Sequence, residues 1–290
     1  MEKLKNKILE KKELKGVDSS FLDQFLNEYK SKKPKAFKIL EEKNFNEKSK
    51  EFDDIKKAVR KRMREIHGVF AKKSLNSRKK EEYLQSLKNA DEEKKEEIIG
   101  RILESHQSTF ERSTSYRALY EIILKNYGQN NQNRKPKKIA DLGCGYNPFK
   151  YKYWGFSPKY FATDINKEDL EFSQKYFNLE KIDGKTKNLD LTDKKSLAVI
   201  ENETKDSDLC LLFKLLDSLE SKKRGSSAEL LRHIHSKFIV VSFPTKTISG
   251  KNEIKGKRKW FDRIVEENKH EKEEFVLQNE KYFLLKRPYS

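Results

Sequence analysis

Residues 138–151 read KIADLGCGYNPFKY, a short apolar run that turns sharply through two glycines. The run ends in Asp141, and Gly143 and Gly145 follow on either side of Cys144. Glycine accepts positive φ and lets the backbone approach a ligand closely. In open α/β sheets, ligands bind at the carboxyl ends of the strands. The segment therefore predicts a strand that ends in a ligand-binding turn, in which Asp141, Gly143 and Gly145 are candidate site residues.

Short apolar runs alternate with helical patterns throughout the carboxyl-terminal part of the chain. Helical stretches at 168–177 and 226–234 separate several of these runs. The alternation predicts an α/β fold with a mostly parallel sheet covered on both faces. Only QNEK separates the last two runs, so we expect these to pair as an antiparallel hairpin. The predicted strands are 138–142, 160–163, 208–213, 238–243, 275–277 and 282–285.

The amino-terminal part of the chain has a different pattern. Apolar residues recur at helical spacing, which predicts a bundle of short amphipathic helices. We therefore expect an all-α domain over residues 1–104 and an α/β domain over residues 105–290. The residues that carry the pattern are Leu4, Ile8, Leu22, Phe25, Leu26, Ile55, Val59 and Met63.

The charge balance indicates a polyanionic partner. The chain has 65 Lys and Arg against 47 Asp and Glu, a net charge of +18. Such a surface suits nucleic acid or an anionic membrane, whereas a merely solvated lysine-rich surface is the alternative. No apolar run approaches the roughly 18 residues that span a bilayer, and the first residues lack the apolar core of a secretory signal. We expect a cytoplasmic protein with no membrane partner and, with only Cys144 and Cys210, no disulfide framework or metal site.

Acidic residues at successive strand ends indicate the ligand. Asp164 ends the second strand, 23 residues after Asp141, where a carboxylate can accept hydrogen bonds from both ribose hydroxyls of a nucleoside. The third glycine of a dinucleotide motif is missing, and Pro148 stands where its helix would open. S-adenosylmethionine therefore fits better than NAD. Asp190 could accept from the adenine amino group and Leu191 could cover the ring, although each acid alone could be a loop cap.

Five segments together resemble one family. HQSTFERSTSY, DLGCGYNPF, LLFKLLDSLE, VVSFPTKTISGK and LQNEKYFLLKR have the order and spacing of the aminoglycoside-resistance 16S rRNA (guanine-N7) methyltransferases of the Arm/FmrO type. The resemblance covers about residues 100 to 290. It implies a Rossmann-like class I methyltransferase domain, S-adenosylmethionine as cofactor, and a decoding-site guanine of the small ribosomal subunit as substrate.

The resemblance also implies roles for individual residues. An arginine in the family's cofactor-end motif pairs with the methionine carboxylate of the cofactor, as expected for an arginine–carboxylate fork. Phe110 stands where the resistance enzymes usually carry another arginine, so Arg112 or Arg117 must hold that carboxylate, or cofactor affinity is reduced. Asp217 stands in place of a usual proline near the substrate pocket. Matching cofactor-site residues are His106, Ser108, Thr109, Glu111, Arg112, Gly143, Asp164, Asp190 and Leu191.

The chemistry predicts what the protein must do to its RNA. Guanine N7 has a free lone pair, so no catalytic acid or base is assigned, and orientation carries the reaction. Because side chains cannot readily enter the major groove of A-form RNA, the base must be flipped out and held on a basic, aromatic surface. The alternatives are a solvated charged face and a Trp260 that packs on the core. Candidate RNA-binding residues are Lys246, Lys251, Lys255, Lys257, Arg258, Trp260, Arg60, Arg64, Lys72 and Lys73.

The resulting hypothesis is an S-adenosylmethionine-dependent methyltransferase of 16S rRNA. We expect it to act on N7 of a decoding-site guanine in the assembled 30S subunit, with the helical domain docking on the ribosome and the protein acting as a monomer. Two alternatives remain open: a housekeeping methyltransferase of another RNA site, and a non-catalytic RNA-binding assembly factor.

Overall fold

The computed structural model describes residues 1–11, 19–63, 75–246 and 258–287. The chain divides into two compact units, Met1–Ser74 and Leu75–Ser290. The second unit therefore begins before the boundary expected at residue 104. Two helices that sequence periodicity assigned to the first domain, Ser77–Lys88 and Glu92–Glu104, bury Leu84, Leu87, Ile99 and Ile102 in the core of the second unit.

The first unit is helical, as predicted. Helices α1 and α2 each bury apolar residues at the predicted positions, and α4 buries Ile55, Val59 and Met63. The guanidinium group of Arg60 donates hydrogen bonds to the carbonyl oxygens of Lys7 and Ile8, where helix α1 ends. These carbonyls have no partner within their own helix, so Arg60 stabilises the helix end. The helices are α1 Glu2–Leu9, α2 Ser19–Lys32, α3 Pro34–Glu42 and α4 Lys50–Met63.

The second unit is built on a seven-stranded sheet with the order β3-β2-β1-β4-β5-β7-β6. Strands β1 to β5 pair in parallel, whereas β7 runs antiparallel to both β5 and β6. The predicted carboxyl-terminal hairpin is thereby confirmed. The strands are β1 Lys138–Leu142, β2 Lys159–Asp164, β3 Gly184–Asn188, β4 Leu209–Phe213, β5 Phe238–Pro244, β6 Glu271–Leu277 and β7 Glu280–Lys286.

Helices cover both faces of this sheet. Alternate residues of each strand point to opposite faces, so Ile139 and Leu211 lie in one apolar cluster and Ala140 and Leu212 in the other. Strands that are buried on both sides read as continuous apolar runs, which is why the sequence revealed them. The helices are α5 Ser77–Lys88, α6 Glu92–Glu104, α7 Gln107–Glu111, α8 Tyr116–Gln129, α9 Lys167–Leu179, α10 Lys194–Thr204, α11 Leu216–Lys222, α12 Ser226–His233 and α13 Lys259–Glu267.

Two strands differ from the sequence analysis. The apolar runs do not reveal β3, which was expected only from the strand end at Asp190, or the first half of β6, because these edge segments are polar and largely exposed. None of the helices in the described ranges combines the length and apolar character needed to cross a bilayer.

Candidate cofactor site

The turn after β1 strongly favours glycine at two positions. Gly143 and Gly145 have φ values of +68° and +50°. A Cβ atom on Gly143 would lie 2.8 Å from Leu215 Cδ1, and one on Gly145 would lie 2.8 Å from His106 Cε1. Between them, the Cys144 amide donates to the carbonyl oxygen of Thr163 over 2.9 Å. The turn is thus packed between the residue before α7 and the residues after β4.

Replacing Gly145 with alanine is expected to lower the free energy of unfolding by about 3 kcal/mol, because both the positive φ and the contact with His106 oppose a side chain. Gly155 is the matched control, since it has φ +71° but open space around an added Cβ. Gly155→Ala should cost only about 1 kcal/mol. Urea unfolding of both variants measures the difference, and equal losses would contradict the packing described for the turn.

Asp164 is held in a fixed orientation beside this turn. Its Oδ2 atom accepts from the Gly145 amide and its Oδ1 atom from the Asn166 amide, each over 3.0 Å. Burial raises the pKa of Asp164 above its ordinary value, although these two amides favour the charged form. Each carboxylate oxygen has a second lone pair. Asp164 can therefore accept two further hydrogen bonds from a pair of ligand hydroxyls.

Asp190 lies just beyond the carboxyl end of β3. Its Oδ1 atom accepts from the amide and hydroxyl of Thr192, over 3.0 and 2.7 Å, and its Oδ2 atom accepts from Lys222 Nζ over 2.5 Å. Burial alone would raise the pKa of Asp190, but these partners outweigh it and the pKa lies below its ordinary value. Leu191 is buried in the apolar cluster that contains Ala140 and Leu212. The sequence analysis missed Lys222, which comes from α11, far along the chain.

The side chain of Asp141 points into the protein core and not towards the open side of the turn. It is fully buried and accepts hydrogen bonds from the Tyr160 hydroxyl, over 2.7 Å, and from Asn147 Nδ2, over 3.2 Å. Burial raises the pKa of Asp141 to about 6, against the effect of these two donors. Its carboxylate thus joins β2 to the segment that follows the glycine turn, and contact of Asp141 with the cofactor stays a prediction.

In the predicted cofactor motif around α7, Thr109 contacts α6 and His106 contacts the glycine turn. Thr109 Oγ1 donates to the carbonyl oxygens of Leu103 and His106, over 3.2 and 3.0 Å, and Ser108 is buried. Thr109 therefore holds α7 on the end of α6. The His106 ring lies against Gly145 and 5.6 Å from the ring of Tyr146. Desolvation lowers the pKa of His106 to about 4, so the ring is neutral at pH 7.

Arg112 is occupied by a carboxylate of the protein itself. Its Nη1 atom donates to both oxygens of Glu280, over 3.1 and 3.2 Å, and its Nη2 atom donates to Asn147 Oδ1 over 3.1 Å. Arg112 is only 2% exposed. Arg117, the other arginine considered for the methionine carboxylate, is exposed and lies over the ring of Tyr153. Glu280 was missed because 168 residues separate it from Arg112.

The predicted RNA-binding residues are only partly described. Arg258 forms a fork with Asp217, with three N–O distances of 2.7 to 3.1 Å, and lies 4.2 Å from the ring centre of Phe243. Trp260 is half-buried and packs edge-on against Phe243, in agreement with the alternative that places it on the core. Lys246 is exposed, and Arg60 binds helix α1. Outside the described residues lie Arg64, Lys72, Lys73, Lys251, Lys255 and Lys257.

The sheet order and the glycine turn define a class. A parallel sheet that ends in an antiparallel hairpin, with a glycine turn after its first strand and an acid after its second, is the class I methyltransferase fold. The chain belongs to the family described as ribosomal RNA methyltransferase (FmrO), whose sequence profile it matches over residues 26–276. The match begins within α2, closer to the amino terminus than the resemblance suggested. Membership confirms the predicted methyltransferase family and S-adenosylmethionine as its methyl donor.

Two curated relatives carry the same description, 16S rRNA (guanine(1405)-N(7))-methyltransferase. The protein of Proteus mirabilis is 29% identical over 252 residues, which are 80% of this chain and 84% of the relative. The protein of Micromonospora echinospora is 29% identical over 201 residues, which are 67% of this chain and 68% of the relative. The chain therefore aligns with most of the length of each.

Solved structures confirm the fold. The 16S rRNA methyltransferase RmtF, in complex with S-adenosyl-L-homocysteine, superposes with a TM-score of 0.69 at 22% identity, covering 99% of this chain and 98% of that one. The 16S rRNA methylase RmtB gives a TM-score of 0.67 at 20% identity, with the same coverage.

Proposed function

We propose that this protein transfers a methyl group from S-adenosylmethionine to N7 of a guanine in 16S rRNA. The observation that carries the proposal is Asp164, whose carboxylate is fixed by the Gly145 and Asn166 amides at the edge of the sheet where ligands bind. The family match and two relatives described as N7-specific methyltransferases of 16S rRNA support the substrate.

The residues present fit the nucleoside part of this cofactor. The positive φ values of Gly143 and Gly145 keep side chains out of the turn, so a ligand can approach its backbone. Asp164 would bind the ribose hydroxyls, and the charged Asp190 would accept from the adenine amino group. When bound, the cofactor supplies an electrophilic methyl group on a sulfonium sulfur.

Methylation at N7 requires orientation and no proton transfer before attack. N7 carries a free lone pair, so the protein must hold the base with N7 about 3 Å from the methyl carbon. Accordingly, no catalytic acid or base is assigned. The His106 ring, which lies against Gly145, has a pKa of about 4 and is neutral at pH 7. Its position against Gly145 suits packing and hydrogen bonding.

We further propose that the substrate is a decoding-site guanine in the assembled 30S subunit. An A-form helix hides N7 in a deep, narrow groove, so the base must leave the helix before it can react. A protein with a net charge of +18 has the electrostatics for a broad contact with RNA phosphates. The helical unit would dock on the ribosome, and the protein would act in the cytoplasm as a monomer.

Methyl transfer to purified ribosomal particles tests the substrate. With labelled S-adenosylmethionine, we expect 30S subunits to accept label, and naked 16S rRNA and 50S subunits to accept at least 10-fold less. Preferred labelling of 50S subunits or of naked RNA would contradict the proposed substrate and favour a methyltransferase of another RNA site. Cofactor binding without label on any ribosomal RNA would instead favour an assembly factor.

A further inference from the structure

The amino-acid end of S-adenosylmethionine carries a carboxylate and an ammonium group, and both need partners beside the glycine turn. The fork of Arg112 is occupied by Glu280 inside the core, and Arg117 lies over Tyr153 on the surface. The usual arginine position holds Phe110, which has no charge. A different cation must therefore receive the carboxylate, if the chain binds this cofactor as proposed.

Lys214 has the right position in the fold. It directly follows β4, the strand paired with β1, and its neighbour Leu215 packs against Gly143. Lys214 has a φ of 53°, a conformation that non-glycine residues rarely adopt and that clusters at functional sites. Its amide is held by Ser242, with hydrogen bonds to the carbonyl oxygen and to Oγ of 3.1 and 3.0 Å. The end of β5 thus fixes the direction of this lysine.

The Lys214 ammonium group bridges two carboxylates of unequal exposure. It forms an ion pair with Glu111 of α7 and lies 3.3 Å from Glu280 Oε2. The side chain of Glu111 is 32% exposed, against 6% for Lys214 and 3% for Glu280. A ligand can therefore reach the pair from the side of Glu111. An ammonium group has three donors, and these two carboxylates are its partners in the described part of the chain, so one donor is left.

We propose that Lys214 and Glu111 bind the amino-acid end of the cofactor, a role that rests on the proposed function. The Lys214 ammonium group would bind the ligand carboxylate, and the Glu111 carboxylate would bind the ligand ammonium group. A zwitterion needs one cation and one anion close together, and this pair supplies both where α7 meets the end of β4. Charge-assisted hydrogen bonds of this kind are the strong ones. The pair replaces the arginine that Phe110 cannot provide.

The proposal is tested by a thermodynamic cycle that combines a substitution in the protein with the loss of a group from the ligand. Calorimetry measures the binding affinity of each combination. Wild-type protein and Lys214→Met are titrated with S-adenosylhomocysteine and with its decarboxylated analogue. Loss of the ligand carboxylate should weaken binding to wild type by about 10-fold to 100-fold and binding to Lys214→Met by less than about 3-fold. Arg117→Met should behave as wild type. The assignment would be overturned if removal of the ligand carboxylate weakened binding equally in wild type and in Lys214→Met. It would also be overturned if only Arg117→Met were insensitive to that removal.

Two further titrations keep the result decisive. Glu111→Gln changes a partly exposed side chain, so it serves if Lys214→Met does not fold. Removal of the ligand amino group should weaken binding to Glu111→Gln by less than about 3-fold, compared with about 10-fold for wild type. Equal losses of affinity in the two proteins would overturn the role of Glu111. 5′-Methylthioadenosine, which lacks the amino-acid end, should bind wild type and Lys214→Met equally. A wild type that binds neither nucleoside would overturn the proposed function itself.

Discussion

Replacing Arg112 with methionine is expected to lower the free energy of unfolding by about 3 kcal/mol. The substitution leaves Glu280, only 3% exposed, without its principal partner, and an uncompensated buried charge typically costs about 3–5 kcal/mol. Lys214 remains 3.3 Å from the same carboxylate, so we expect the lower end of that range. Urea unfolding at pH 7 measures the loss.

The partner substitution provides the control for this prediction. Arg112→Met combined with Glu280→Met removes both charges from the core, and exchange of a buried ion pair for apolar side chains is often close to neutral. The double variant should therefore be more stable than Arg112→Met alone by at least about 1 kcal/mol. Strictly additive losses would show that the pair does not couple and would contradict the network at the start of β7.

Asp164→Ala is expected to weaken binding of S-adenosylhomocysteine by about 100-fold or more. Two hydrogen bonds from ribose hydroxyls to a carboxylate are lost, each worth about 1.5 kcal/mol or more, and 1.4 kcal/mol corresponds to a factor of ten. The Gly145 amide also loses its acceptor, so the turn itself loosens. Calorimetric titration of the variant measures the affinity.

An aspartate remote from the turn is the matched control. Asp206 pairs with Lys138 over 2.6 Å, and its side chain is 72% exposed before the start of β4, at the opposite edge of the sheet. Asp206→Ala should bind the ligand as wild type does. Because Asp164 would contact the ribose, Asp164→Ala should weaken 5′-methylthioadenosine as much as S-adenosylhomocysteine. Near-normal affinity in Asp164→Ala would remove the basis of the proposed cofactor site.

Local patterns predicted most of the fold and the centre of the site. Strands buried on both faces appear as apolar runs, and the turn after β1 is visible because Gly143 and Gly145 both need positive φ. Asp164 was found for the same reason, as it ends such a run. In contrast, the polar edge strand β3 carries no apolar signal, so its position was inferred only from Asp190.

The partners of the charged side chains were not predictable in this way. The resemblance offered Arg112 or Arg117 as the ligand of the methionine carboxylate, and Glu280 from β7 occupies the fork of Arg112. Lys222 meets Asp190 in a similar manner. Such pairs join residues far apart in the chain, and no local spacing encodes them. For this reason sequence reasoning identified the charged groups but not the partners that the fold gives them.

Chemical identification of the methylated nucleotide is the most direct test of the account. Purified 30S subunits are incubated with the protein and S-adenosylmethionine, and the 16S rRNA is reduced with borohydride, cleaved with aniline and mapped by primer extension. This chemistry cuts RNA at 7-methylguanosine. We predict a single new cleavage at a guanine of the decoding site, dependent on the cofactor and absent with Asp164→Ala. A methylated product that contains no 7-methylguanosine would contradict the central claim.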